Sequence, residues 1–149
     1  MLRAYFFGNY YLSHVQHGVQ SVHTVSEMFV KYKEKDNVQS KTLYDWAENG
    51  KTVVFLNGGN SGALQTLKNM FLSEHNPFPW SSFHEDTVSL NGALTNVGIV
   101  LPECLAKAND EKPVRKLMSE FVAEIEKYCK NLEYAYQLML LVQSGQLIK

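Results

Sequence analysis

The sequence predicts one α/β domain, a small sheet of about four strands flanked by helices, followed by a long C-terminal helix. Three observations predict it. Short apolar runs at 2–7, 52–56 and 95–101 have the length and the β-branched or aromatic content of buried strands. Between them lie longer segments whose apolar residues recur at helical spacing. Glycine, asparagine and proline mark the junctions. Strand and helix alternate along the chain, which favours parallel pairings.

The first strand ends at Gly8-Asn9. Ser13 is the expected N-cap of the first helix, which buries Val15, Val19, Val22, Phe29 and Tyr32 and runs to about Lys35. Ser40 is expected to cap a shorter helix through Trp46, closed by Asn49-Gly50. Residues 52–56 read as a second buried strand. A turn at 57–60 follows, and Ser61 opens a helix carrying Leu64, Leu67, Met70 and Phe71. Pro77 and Pro79 forbid its continuation. A short strand is expected at 80–83, a polar loop at 85–93 and a last strand at 95–101, stopped by Pro102.

From Asp110, with Pro113 tolerated in its first turn, a single helix is expected to about Val142. The chain then divides into an α/β domain at 1–107 and a helical extension at 108–149, packed on that domain or on a partner subunit. Tyr134, Tyr136, Leu138, Leu140 and Leu141 put apolar groups on more than one face of the extension. Such a helix needs cover, so a homodimer through this arm is expected.

Apolar residues make up 45% and charged residues 19% of the 149, a composition that folds rather than one that stays disordered. The net charge of −1 argues against a large nucleic-acid footprint, which draws its affinity from clustered Lys and Arg. Cys104 and Cys129 have no CxxC spacing and read as reduced intracellular thiols. No apolar run approaches the roughly 18 residues of a membrane span, and the N-terminus lacks the pattern of a leader. The expectation is a soluble, cytoplasmic protein with no membrane partner.

Gln16, Gln20, His23 and Glu27 follow at steps of four, three and four, which places them in one polar row on the first helix. A polar row edging a buried face is where a cleft opens. His23 there is a candidate general acid/base, since imidazole titrates near neutral pH. Its plainer reading is a half-exposed helix histidine. Asp86, with Glu85 beside it, ends a strand, where α/β ligand sites form. Thr95 and Ser89 are candidate hydrogen-bonding groups for a ligand. The connection containing Gly58, Gly59 and Ser61 joins a strand to a helix and is a candidate phosphate contact, though it lacks the Gly-Lys-Ser/Thr ending of a P-loop. His14, His17 and His23 find no Cys or carboxylate at a recognised ligand spacing, so neither a metal nor another cofactor is expected.

Four segments occur in a telling order. They are Gln20-Ser21-Val22-His23; Leu43-Tyr44-Asp45-Trp46 before Gly50-Lys51-Thr52-Val53-Val54; Ser81-Ser82-Phe83-His84-Glu85-Asp86; and Asn91-Gly92-Ala93-Leu94-Thr95 before Val97-Gly98-Ile99 and Pro102. In order and spacing they resemble the archaeal and eukaryotic (type II) peptidyl-tRNA hydrolase family over residues 1–103. Where that family carries lysines ahead of its Gln-x-x-His, this chain reads Ser13-His14-Val15-Gln16-His17-Gly18. The chain also resembles small bacteriophage products of the wider group, so a divergent, bacteriophage-encoded member is expected.

The resemblance implies a small mixed sheet and an esterase activity at a nucleotide ribose. His23, Asp86 and Thr95 would assist water, and Gln20 would orient the substrate. Gln16, Glu27, Gly58, Gly59, Ser61, Ser89 and Asn91 complete the expected substrate contacts. The expected partner is a tRNA-linked or small nucleotide ligand. The alternative from another class is a nucleotide-binding protein that sequesters or degrades a cyclic-dinucleotide or similar defence signal, using the same cleft and the Gly58-Gly59 loop. A third reading keeps the fold as an interaction protein without the site.

Overall fold

Two runs of the chain are apolar at almost every position, and both lie in the middle of one sheet. The computed structural model describes residues 1–86, 92–106 and 114–148, and the side chains of all of these except 114–118. Strand β1 (Leu2–Gly8) pairs in parallel with β2 (Thr52–Asn57) and antiparallel with β4 (Leu94–Pro102), which in turn pairs antiparallel with β3 (Trp80–His84). The order β2-β1-β4-β3 makes a mixed four-stranded sheet within an α/β architecture. Being covered on both faces, β1 and β4 have no polar alternation to show. β2 was expected to be buried and is instead an edge strand, with Val53 and Phe55 exposed. The chain's own end lies along part of that edge: Asn57 N–H donates to the Gln146 carbonyl at 2.8 Å, and Ile148 N–H to the Phe55 carbonyl at 3.1 Å.

One face of the sheet is covered by α1 (His14–Lys31) and α2 (Val38–Asp45), which close Ala4, Phe6, Met28, Tyr32, Leu43 and Trp46 into one apolar cluster. Ser13 caps α1 through a capping box: Gln16 N–H donates to its Oγ at 3.2 Å, and Ser13 N–H donates to Gln16 Oε1 at 2.8 Å. The expected apolar face of α1 packs inward only at its end, where Phe29 and Tyr32 join the cluster, and over the first turns it is turned outward. Val15 is 77% exposed, and Val19 and Val22 are exposed too, while His17, Gln20, Ser21, Thr24 and Met28 are buried. The cause is what the sheet offers: opposite the first turns of α1, β4 presents Thr95 and Asn96, so polar side chains find their hydrogen bonds inward.

α1 also stops at Lys31 rather than near Lys35. α2 is capped by Asn37, not Ser40, whose N–H is the donor to Asn37 Oδ1 at 2.8 Å. A π-type turn, Trp46–Gly50, carries the chain to Lys51, whose φ of 54° ends it.

The other face is covered by α3 (Ser61–Phe71), α4 (Val114–Ile125) and α5 (Leu132–Ser144). The expected single C-terminal helix is thus two. The first ends at Ile125, and Asn131 starts the second, its Oδ1 accepting the Tyr134 N–H at 2.9 Å. Ile125, Cys129, Tyr134, Ala135, Leu138 and Val142 join Tyr5, Phe7, Leu64, Phe71, Ile99 and Leu105 in the larger core. The apolar side of α5 is therefore covered by this chain's own sheet layer, and Tyr136 and Leu140 stay on its outer side. No helix among the described residues is long and apolar enough to cross a membrane.

Candidate functional site

The pairing of β3 with β4 slips between Phe83 and His84: Phe83 faces Asn96 and His84 faces Leu94. Thr95 is the extra residue of this β-bulge. A strand alternates its side chains, so without the bulge Thr95 and Asn96 would point to opposite faces. With it, both reach α1.

Thr95 is fully buried, and its hydroxyl donates to Gln20 Oε1 at 2.9 Å, with the Phe83 carbonyl at 3.3 Å as a second acceptor. The other end of the same amide completes a chain, since Gln20 Nε2 donates to Glu85 Oε2 at 2.9 Å. A donor at one end and a carboxylate at the other fix the orientation of the Gln20 amide. Next to it, Thr24 Oγ1 donates to Asn96 Oδ1 at 2.7 Å, Asn96 Nδ2 to Ser21 Oγ at 3.2 Å, and Ser21 Oγ to the His17 carbonyl at 2.7 Å. Buried polar groups joined this way are rigid, and only Glu85 carries the network to the half-exposed rim.

Two further groups border this end of the sheet. The buried Asn9 follows β1, and its Nδ2 donates to Ser61 Oγ at 3.1 Å and to the Leu94 carbonyl at 3.2 Å. Its Oδ1 has no hydrogen-bond partner among the described residues. His17 lies against Gly8, where a Cβ would fall inside the imidazole, so only glycine fits. Burial, and secondarily His14, hold the His17 pKa below the ordinary histidine value.

The expected site residues separate into groups. Gln20 and Thr95 meet directly, and Glu85, adjacent to Asp86, is the carboxylate that joins them. His23 is exposed and stacks on Phe83 with ring centres 4.4 Å apart and planes 16° apart. Asp86 is exposed, and its carbonyl accepts the Gly92 N–H at 3.1 Å. Gln16 serves the cap of α1, and Glu27 lies exposed one turn beyond His23.

Gly58 and Gly59 border a different space, an open cleft of about 520 Å3 between α3 and α5 with Phe7, Leu67, Met70 and Leu141 on its walls. Their amides are committed within the fold: Gly58 N–H donates to the Gly8 carbonyl at 2.7 Å and Gly59 N–H to Asn57 Oδ1 at 2.9 Å. The phosphate contact expected of these two amides has no free donor. Ser61 is tied to the site through Asn9. Ser89 and Asn91 lie outside the described residues.

The sequence reading does not single out Asn9, Thr24 or Asn96, and weighs His17 only as a metal ligand. Thr95-Asn96 was the available signal, two adjacent polar residues inside an otherwise apolar strand. Among the described residues no three His, Cys, Asp or Glu side chains gather as a metal site would require. No protein-family model and no curated protein sequence matches the chain.

Proposed function

We propose that this chain is a hydrolase of the peptidyl-tRNA type, cleaving the ester that joins a peptide to the terminal ribose of a tRNA. One observation carries the reading. The Gln of the Gln-x-x-His segment and the Thr of the Gly-x-x-Thr segment, on which the family resemblance rests, are hydrogen-bonded to each other, and the same Gln holds a rim carboxylate.

In this reading Glu85 accepts a proton from water as the water oxygen attacks the ester carbonyl. Gln20 holds that carboxylate, and the buried Thr95 holds Gln20, which makes Thr95 a positioning residue. His23, at the same rim on Phe83, returns a proton to the departing ribose oxygen. The products are a peptide with a free carboxylate and a tRNA with a free ribose hydroxyl. Asp86 is the second carboxylate at the rim.

The test is release of free tRNA from an N-blocked aminoacyl-tRNA by wild type, Glu85→Gln, Asp86→Asn, His23→Ala and Gln20→Ala. The expected result is turnover by wild type, with losses of about 100-fold or more in Glu85→Gln and Gln20→Ala, the size of a general-base contribution. A folded wild type that cleaves no ester, or that binds a cyclic or linear dinucleotide tightly without cleaving tRNA, overturns the reading.

A further inference from the structure

The sequence contains no block of positive charge, yet the fold makes one. β3 is an edge strand with α1 on one face of the sheet and α3 on the other. Lys31, at the end of α1, reaches round this edge: its ammonium donates to the Trp80 carbonyl at 3.1 Å and lies 3.6 Å from the centre of the indole ring. Trp80 belongs to the core on the α3 side, so Lys31 crosses from one layer to the other. There it comes within electrostatic reach of Lys68 from α3 and of Lys35 from the turn after α1. Lys35 lies 5.9 Å from the Tyr32 ring.

Lys68 is held in place by the strand itself. Its Nζ is 3.4 Å from His84 Nε2, and His84 Nδ1 is 3.0 Å from the Gly92 carbonyl. Since a carbonyl only accepts, Nδ1 carries the hydrogen and Nε2 receives the lysine's. Among the described residues no carboxylate lies within ion-pair distance of Lys31, Lys35 or Lys68. Three ammonium groups on one edge, with no carboxylate among the described residues to pair them, repel one another, and a bound polyanion relieves that repulsion.

We propose that the outer edge of β3, with Lys31, Lys35 and Lys68, is a track for the phosphate backbone of an RNA strand leading to the rim where His23 stacks on Phe83. That the RNA is the tRNA of the substrate rests on the hydrolase reading above. Two features point to a strand rather than a small anion. Lys31 stands at Trp80 and Lys68 at His84, the two ends of a strand edge of about 13 Å at the usual rise per residue. Lys35 lies on the Tyr32 ring that Lys31 also borders, so the three do not all converge on one point. The track also ends beside an aromatic pair, the exposed His23 stacked on the half-buried Phe83, and single-stranded nucleic acid is held by cationic grooves combined with stacking platforms.

The test uses deacylated tRNA as the probe, with its dissociation constant measured across a KCl series. The variants are the triple Lys31→Gln/Lys35→Gln/Lys68→Gln and the double Lys35→Gln/Lys68→Gln, which leaves the Lys31–Trp80 contact intact. A charge-matched control, Lys51→Gln/Lys127→Gln/Lys130→Gln, removes exposed lysines elsewhere. The expected result is at least tenfold weaker binding by the triple variant near 0.1 M salt, the slope of log K against log salt shallower by about 0.7 per lysine removed, and little change in the control. No binding by wild type, or equal weakening by the control, overturns the track. Binding that follows the track lysines without ester cleavage removes the hydrolase reading and leaves the track standing. Cleavage that is indifferent to these lysines does the reverse.

Discussion

The hydroxyl of Thr95 donates to the side-chain carbonyl of Gln20 at 2.9 Å, across 75 residues of sequence, because a bulge in β4 turns Thr95 toward α1. Thr95→Val keeps the shape and removes the donor, leaving a buried amide oxygen unpaired. The expected cost is about 1–3 kcal/mol in urea denaturation, with hydrolysis lost well beyond that loss of folded protein. Thr95→Ser, which keeps the hydroxyl, should recover most of the activity.

Gly8 should tolerate no side chain. A methyl group there displaces the His17 imidazole, and overpacking of this kind costs about 1–3 kcal/mol. Thermal unfolding of Gly8→Ala measures it. The same melt on Gly18→Ala, where an added Cβ meets nothing within 4 Å, should show no loss.

Stability should fall in mild acid. The folded state lowers the His17 pKa, chiefly by burial, so the unfolded chain binds the proton more readily. The contribution is complete above the unfolded value of about 6.5 and is lost as pH falls below it. Unfolding free energies at pH 7.5 and 5.5 should therefore differ less in His17→Gln than in wild type.

Affinity for tRNA should decline in mild base. Burial, and then Lys35 and Lys68, bring the Lys31 pKa down to about 8. The groups around its ammonium are those two lysines, the Tyr32 ring and hydroxyl, and the Trp80 indole, with His84 behind Lys68. A phosphate binds the charged form, so the Lys31 contribution disappears as pH rises through about 8. Binding measured from pH 7 to 9 should weaken in wild type and stay flatter in Lys31→Gln.

The C-terminal helices should be needed for folding. α4 and α5 place Ile125, Tyr134, Leu138 and Val142 in the larger core, so a chain ending at residue 109 should lack cooperative unfolding. Leu138→Ala, fully buried, should cost about 2–5 kcal/mol in urea denaturation.

Local signals carried much of the fold. The Ser13 cap, the apolar runs of β1 and β4, and the helix opening at Ser61 follow from neighbouring residues alone. What lay beyond reach depends on partners distant in sequence. The valine row of α1 has the helical period, yet Thr95 and Asn96 decide which side turns inward, and they act only through a register slip. β2 has a core strand's composition but lies at an edge, a matter of topology. The new start at Asn131 was there to be read, since asparagine caps helices, but the apolar period running through it hid it. Of the site, Gln20 and Thr95 were legible as types and positions; their contact, and the placing of Lys31 and Lys68 on one strand, exist only in three dimensions.

The central claim is that Thr95, Gln20 and Glu85 act as one unit in ester hydrolysis. A double-mutant cycle on kcat/KM with N-blocked aminoacyl-tRNA, using Thr95→Val, Glu85→Gln and the double variant, measures it most directly. The account predicts that the double variant is hardly slower than Glu85→Gln alone, because Thr95 works only through the carboxylate that Gln20 holds. Losses that multiply would contradict it, as would full activity in Glu85→Gln.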